Sequence, residues 1–263
     1  MSETQAEYPL QGKLALITGC TGGIGQATAR AFARNGCSIA VHHSSARSKA
    51  KADALVLELI KLAPGVRAAA FEADLSAYDN AQTLCDRVTD ILGHPDILFS
   101  NHGVTGPRIG PEGDIQNVSA ESFEEIWRTN TGTGFVLVQK CLPYMQEKQW
   151  GRIIFTSSVA AGTGGVIGPQ YASSKSALHG LIHWLSLRYC KEGILTNGVA
   201  PALIEEDTDM MANPTDAIRS KIPIGRLGKP DEIASIVLML ATNGYMTNKI
   251  IVADGGWTNG GGF

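Results

Sequence analysis

The tract Thr18-Gly-Cys-Thr-Gly-Gly-Ile-Gly25 lies between an apolar run and a helical pattern, and it constrains the fold more than any other stretch. Lys13–Thr18 (KLALIT) reads as a buried strand and Gly23–Asn35 as a helix. A strand that passes through a glycine turn into a helix gathers unpaired N–H groups and a positive helix end at one point. Gly19, Gly23 and Gly25 let the backbone turn tightly and approach a pyrophosphate there, with Thr21 and Ile24 in the same turn. The spacing is T-G-x-x-x-G-x-G, not the G-x-G-x-x-G of standard dinucleotide folds.

The same alternation continues along the chain. Strands are expected at Ser38–His43, Val66–Ala73, Asp96–Ser100, Arg152–Ser157, Leu195–Val199 and Lys249–Ala253. Helices are expected at Ser48–Leu62, Tyr78–Leu92, Gln170–Glu192 and Pro230–Ala241, with a long one at Ala120–Glu147 loosened around Gly132 and Gly134. Apolar strands alternating with amphipathic helices imply an α/β fold, a parallel sheet covered on both faces. Residues 1–263 read as one domain, with a flexible tail at residues 1–9. Two long loops, Val104–Ser119 and Pro201–Ile224, follow strands at their carboxyl ends, where open α/β sheets bind ligands. The second carries Met210, Met211, Pro214 and Ile218 and suits a lid over an apolar ligand, residues 201–224 in all.

Composition excludes several classes. A 44% hydrophobic, 18% charged chain is neither disordered nor membrane-embedded. A net charge of −3 without a basic run argues against nucleic acid or anionic membrane partners. Five scattered cysteines without a C-x-x-C pair point to reduced thiols and no metal site. With a polar, acidic N-terminus and no long apolar run, the expected address is cytoplasmic.

Chemistry enters with Tyr171-Ala-Ser-Ser-Lys175, thirteen residues after Ser158. Tyr and Lys four apart share a helix face, and a nearby ammonium favours the phenolate. Such a phenol passes a proton to or from a carbonyl oxygen near neutral pH, and Ser158 offers that oxygen a second donor. Ser157 is the competing hydroxyl. His179 and His183 are also four apart, but no third ligand accompanies them and they read as packing.

Together, the glycine turn, Ser158 and Tyr171-x-x-x-Lys175 make the chain resemble the classical short-chain dehydrogenase/reductase family from about Leu10 to Trp257. Asp74-Leu75, Asn101-His102-Gly103, Asn130, Arg226-Leu-Gly-Lys-Pro-Asp-Glu-Ile and Asp254-Gly-Gly-Trp257 agree in order and spacing. The resemblance implies a Rossmann-like, doubly wound domain with a seven-stranded parallel sheet, closest to the 3-oxoacyl-carrier-protein reductase branch. It implies Tyr171 as general acid, Lys175 as its tuner and ribose anchor, and Ser158 as carbonyl polariser. Asn130 would hold a water between Lys175 and solvent, and the substrate would be a small-molecule or acyl-thioester carbonyl compound. Pro201 and Ile204 would lie at the nicotinamide. The family's usual Pro-Gly is here Pro201-Ala202, two extra residues leave the role of Thr208 open, and His102 replaces an alanine.

Cofactor choice is read at the end of the second strand, where NAD-selective members place an acid. Eighteen residues after Gly25 stands His43, followed by Ser44, Ser45 and Arg47, with no Asp or Glu among them. The expectation is NADP(H). The resemblance also implies a homotetramer built on the two long helices, with Phe135, Leu137, Val138 and Leu142 on one and Leu178, Leu181, Ile182 and Leu185 on the other, and Trp184 and Tyr189 adding area. Two other functions remain open on the sequence: a reductase fold recruited for non-redox cyclisation or dehydration, and a dinucleotide-binding scaffold without turnover.

Overall fold

Ala15 and Ile17 face one side of strand β1 (Leu14–Ile17), while Leu14 and Leu16 face the other. That two-residue alternation, repeated through the central strands, commits both faces of the sheet to burial. The computed structural model describes residues 9–205, 219–220 and 222–258. Residues 1–8 of the expected tail, and Thr208, Met210, Met211, Pro214 and Ile218 of the expected lid, lie outside the described residues.

The other strands are β2 (Ser38–His43), β3 (Ala68–Glu72), β4 (Ile97–Ser100), β5 (Gly151–Thr156), β6 (Ile194–Pro201) and β7 (Ile250–Ala253). All pair in parallel, in the order β3-β2-β1-β4-β5-β6-β7. Helices α1 (Gly23–Arg34), α2 (Lys49–Leu62) and α8 (Pro230–Thr242) cover one face, with Phe32, Leu59 and Leu240 against Ile17, Ile39 and Phe99. Helices α3 (Tyr78–Leu92), α5 (Thr133–Lys148) and α7 (Pro169–Tyr189) cover the other, with Val88, Leu137 and Ile182 against Leu16, Leu98 and Phe155. The chain reverses its winding between β1 and β4, so the loops after these two strands diverge and open a crevice. No helix among the described residues is long and apolar enough to cross a membrane.

The expected long helix is two. Helix α4 (Ala120–Trp127) passes through one π turn (Arg128–Gly132) into α5, so the loosening expected around Gly132 ends on that residue, while Gly134 lies inside α5. Both glycines also allow close packing: a Cβ on Gly132 would sit 2.5 Å from the Tyr78 hydroxyl, and one on Gly134 would sit 3.1 Å from Ser100 Oγ. A short helix, α6 (Ala160–Thr163), follows Ser158.

The expected interhelical faces also need correcting. Leu137, Val138, Leu178, Ile182 and Leu185 are buried against the sheet and belong to the core. The apolar side chains that these helices leave exposed are Phe123, Phe135, Trp184 and Leu187.

Candidate active site

The glycine turn after β1 is held open from behind. Gly19 has φ +58°, and a Cβ there would lie 3.2 Å from His102 Cα; a Cβ on Gly25 would lie 2.5 Å from Gly19 O. Only glycine fits at both places. Beneath the turn, Gly19 N donates to His42 Nδ1 at 2.9 Å, which leaves Nε2 to donate to Ala73 O at 2.9 Å. Burial pushes the His42 pKa down to about 4, so this ring is neutral. Asn101 Nδ2 donates to Thr18 O and Gly19 O, and its Oδ1 accepts from Thr156 Oγ1 at 2.9 Å. The turn is thereby tied to the ends of β2, β4 and β5.

A groove of about 660 Å³ runs over these strand ends. It brings together Gly19, Thr21, Ile24, Ser44, Asp74, Leu75, Asn101, His102 and Gly103 with Tyr171 and Lys175. Asp74 Oδ1 is turned in to accept from Ser76 N at 3.0 Å. Gly23 and Gly25 form the start of α1 and are not on the lining, where Gly22 takes their place. His42 supplies the imidazole of the groove wall; His43 turns the other way, its Nδ1 3.0 Å from Ser45 O. Ser45 and Arg47 are exposed beyond Ser44, Arg47 on a short 3₁₀ turn.

Pro201 ends β6, where its carbonyl accepts from Val159 N at 3.1 Å. Ile204 forms a lone bridge with Gly228 through Gly228 N to Leu203 O and Glu205 N to Gly228 O. In that pattern the N–H and C=O of Ile204 itself point away from Gly228. Its side chain lines a separate cavity of about 180 Å³.

Lys175 is buried in this groove, its Nζ donating to Thr156 O at 2.8 Å and standing 5.9 Å from the Tyr171 ring centroid. Desolvation lowers its pKa to about 8. Tyr171 packs with Ala160 and Ile167, which draws α6 and the segment after it against the phenol. Ser158, just before α6, accepts from Ala160 N at 3.1 Å, a bond that uses an oxygen lone pair and leaves the hydroxyl proton to donate elsewhere. Ser157 is turned into α7, with Oγ 2.7 Å from His179 Nε2 and 3.3 Å from Lys175 O. His183 pairs instead with Asn248 Oδ1 at 2.6 Å.

Asn130 stands behind Gly103: a Cβ on Gly103 would lie 3.1 Å from Lys175 Nζ and 3.2 Å from Asn130 Oδ1. Its amide is committed, Oδ1 accepting from Val104 N at 2.8 Å and Nδ2 donating to Val104 O and Ser174 Oγ. The side chain is thereby a clamp between the loop after β4 and α7.

A family model described as short chain dehydrogenase matches residues 13–218. The chain belongs to the short-chain dehydrogenase family. Its reaction class is therefore nicotinamide-dinucleotide-dependent oxidoreduction. Among relatives, the 3-oxoacyl-[acyl-carrier-protein] reductase FabG of Aquifex aeolicus is 34% identical over 95% of this chain and 99% of its own. The L-rhamnose 1-dehydrogenase (NADP(+)) of Thermoplasma acidophilum is 30% identical over 94% and 96%. A blue fluorescent protein from a metagenomic library, solved in complex with NADPH, superposes with a TM-score of 0.86 at 31% identity over 95% of this chain and 100% of that one.

Several residues of this short-chain dehydrogenase groove escaped sequence reasoning: Gly22, Ser76, Glu125, Thr129 and Thr156. Glu125 and Thr129 lie four apart just before Asn130, a same-face spacing that would have flagged them. Thr156 contributes its backbone carbonyl to Lys175, and no side-chain pattern announces that. Gln170, fully buried beside Tyr171, was also missed; its Nε2 donates to Thr105 O and Pro107 O, pinning the loop after β4 to α7.

Proposed function

We propose that the chain is an NADPH-dependent reductase that converts a ketone on an apolar or acyl-thioester substrate into a secondary alcohol. The observation that carries this reading is Lys175. A buried ammonium, hydrogen-bonded to a strand carbonyl and set beside a tyrosine in a groove that opens on a glycine turn, suits proton transfer to a carbonyl. When bound, the dinucleotide supplies the hydride. Tyr171 gives the proton to the oxygen on which negative charge grows, and Lys175 favours the phenolate that results. Ser158 donates a second hydrogen bond to that oxygen. Asn130 fixes the loop at Val104 against Ser174, the residue before Lys175.

The residues present fit a dinucleotide. Gly19 and Gly25 have no room for a Cβ against the turn's own backbone and His102, which keeps the turn tight at the start of α1 where a pyrophosphate would sit, and the missing acid after β2 leaves Ser44, Ser45 and Arg47 to meet a 2′-phosphate. The NADPH of the solved relative and the NADP(+) in the name of the rhamnose dehydrogenase support the same choice. On the substrate side, a cavity of about 410 Å³ between Ile109–Ile115 and Thr163–Pro169 has no charged side chain on its lining, which suits an apolar chain. The named activity of the FabG relatives supports a 3-oxoacyl-like ketone. The exposed Phe123, Phe135, Trp184 and Leu187 on α4, α5 and α7 support assembly through these helices into a homotetramer.

Absorbance of NADPH, followed with 3-oxoacyl thioesters, simple apolar ketones and aldoses, tests the reaction. Turnover of the first two classes is expected. A protein that binds NADPH and oxidises it with none of them is not the reductase described.

A further inference from the structure

His102 holds a place in a buried hydrogen-bond chain whose direction can be read from donors and acceptors alone. Thr18 Oγ1 accepts from Asn101 N at 2.9 Å and from His102 N at 3.2 Å. Its own proton must then go outward, and His102 Nδ1 is the nearer acceptor at 2.8 Å, against 3.3 Å for Phe99 O. An Nδ1 that accepts puts the proton of a neutral ring on Nε2, which faces Thr133 Oγ1 at 2.9 Å. Thr133 Oγ1 passes its proton on to Thr129 O at 2.9 Å. Thr18, His102, Thr129 and Thr133 are all buried. Burial lowers the His102 pKa to about 3, in keeping with a neutral ring.

The far end of this chain is the π turn. Thr133 N reaches back five residues to Arg128 O, so Thr129 O loses the amide that an α-helix would bring it. The Thr133 hydroxyl replaces that amide, and His102 holds the hydroxyl. Asn130 is the next residue after Thr129 and is the clamp on Val104.

We propose that His102 is a positioning residue with two separable arms, one steadying the glycine turn through Thr18, the other steadying the π turn and Asn130 through Thr133. Its role rests on the reductase reading only for the catalytic half of the test. The two arms sit at different distances from the backbone. An Asn side chain reaches as far as Nδ1 and a Gln side chain as far as Nε2, so each amide preserves one arm.

The experiment compares His102→Asn, His102→Gln and Thr133→Val with the wild type in NADPH dissociation constant, kcat, and hydrogen exchange at the Val104 amide. His102→Asn keeps the Thr18 arm, so NADPH affinity holds while kcat falls and Val104 exchange rises by about tenfold, the worth of one buried hydrogen bond. Thr133→Val gives the same pattern. His102→Gln shows the reverse, NADPH affinity weakening by about tenfold with Val104 protection kept. Nitrogen-15 spectra of labelled histidine place the His102 proton on Nε2 from about pH 5 to about pH 8. Parallel changes in affinity and Val104 exchange across the variants, no change in either, or an Nδ1-protonated ring would each overturn the assignment. A wild type without turnover defeats the reductase reading alone, because affinity, exchange and tautomer still decide the role of His102.

Discussion

The two walls of the groove are made of different material. Along β1, β2 and β4, polar side chains that are buried or half-buried fasten the strand ends to one another: His42 under Gly19, Asn101 across Thr18 and Thr156, Thr18 under Asn101 and His102. Along the loops after β4 and β5, beyond the Asn130 clamp on Val104, the fastenings run from main chain or from one amide side chain. Ile109 N and Gly110 N share Ile167 O, and Gln170 holds Thr105 and Pro107. In the proposed reaction the first wall meets the dinucleotide, which is the same in every turnover, so precision there costs nothing in range. The second would face the ketone of that reaction, and short side chains with glycine leave its shape open to change by substitution. Binding of the dinucleotide and choice of the ketone are thus separable, and mutations should show it.

Tyr171→Phe tests the junction of the walls and should have the largest effect. The ring still packs against Ala160 and Ile167, but the proton donor is gone. We expect kcat to fall by about 10²–10⁴-fold with NADPH affinity nearly unchanged. Retention of a tenth or more of turnover, roughly, removes Tyr171 from the mechanism.

Lys175→Met reports on the cost of the same junction. In the unfolded chain a Lys titrates near 10.4, and in the fold burial lowers Lys175 to about 8. Below pH 8 both states carry the proton and the fold bears the full penalty of a buried charge. Between about 8 and about 10.4 the unfolded state binds more protons, so stability rises with pH. The gain is on the order of 3 kcal/mol across that window. Denaturant unfolding at several pH values should show this rise in wild type and lose it in Lys175→Met. An identical pH profile in both proteins would mean that Lys175 is not desolvated in the fold.

Gly25→Ala and Gly164→Ala set the walls against each other. The first puts a methyl group 2.5 Å from Gly19 O; the second, at φ +80°, meets nothing within 4 Å. NADPH affinity should fall by on the order of tenfold or more in Gly25→Ala. Gly164→Ala should pay only left-handed backbone strain, roughly 1 kcal/mol, and shift the KM for ketone, not for NADPH. Equal effects on both ligands in both variants would dissolve the distinction.

The same division governs what the sequence revealed. The strands, the glycine turn and α3 were legible because local patterns determine them: period-two apolar runs, glycines where a Cβ collides, and a helix bounded by Ala77 and Gly93. The π turn was legible only as a loosening around Gly132, since its form depends on partners far along the chain: Val104, Ser174 and the His102–Thr133 bond. Leu137 and Leu178 were assigned to an interface because apolar residues on two sides of a helix look alike until the sheet takes one of them. His102 stood out only as a departure from the family's alanine, and its role needed the positions of Thr18 and Thr133. The ketone pocket stayed indistinct because glycine and short side chains carry little pattern, and much of the expected lid lies outside the described residues.

Arg47→Ala should have the smallest effect, and it decides how far the rigid wall extends. Burial ends at His43; Ser44, Ser45 and Arg47 are all exposed, with Ser44 still on the groove lining. A guanidinium on a 2′-phosphate forms charge-assisted hydrogen bonds of about 1.5–3 kcal/mol. Exposure to water and salt reduces that figure, since exposed pairs are commonly worth about 1 kcal/mol or less. The expected outcome is a rise of up to about tenfold in KM for NADPH, with KM for NADH almost unchanged and the difference shrinking as salt is added. A variant that loses affinity for both cofactors equally would show Arg47 supporting the β2 end structurally. Faster turnover of wild type with NADH than with NADPH at equal low concentration would overturn the cofactor preference itself, leaving Ser44 as the last residue of the wall that a dinucleotide can feel.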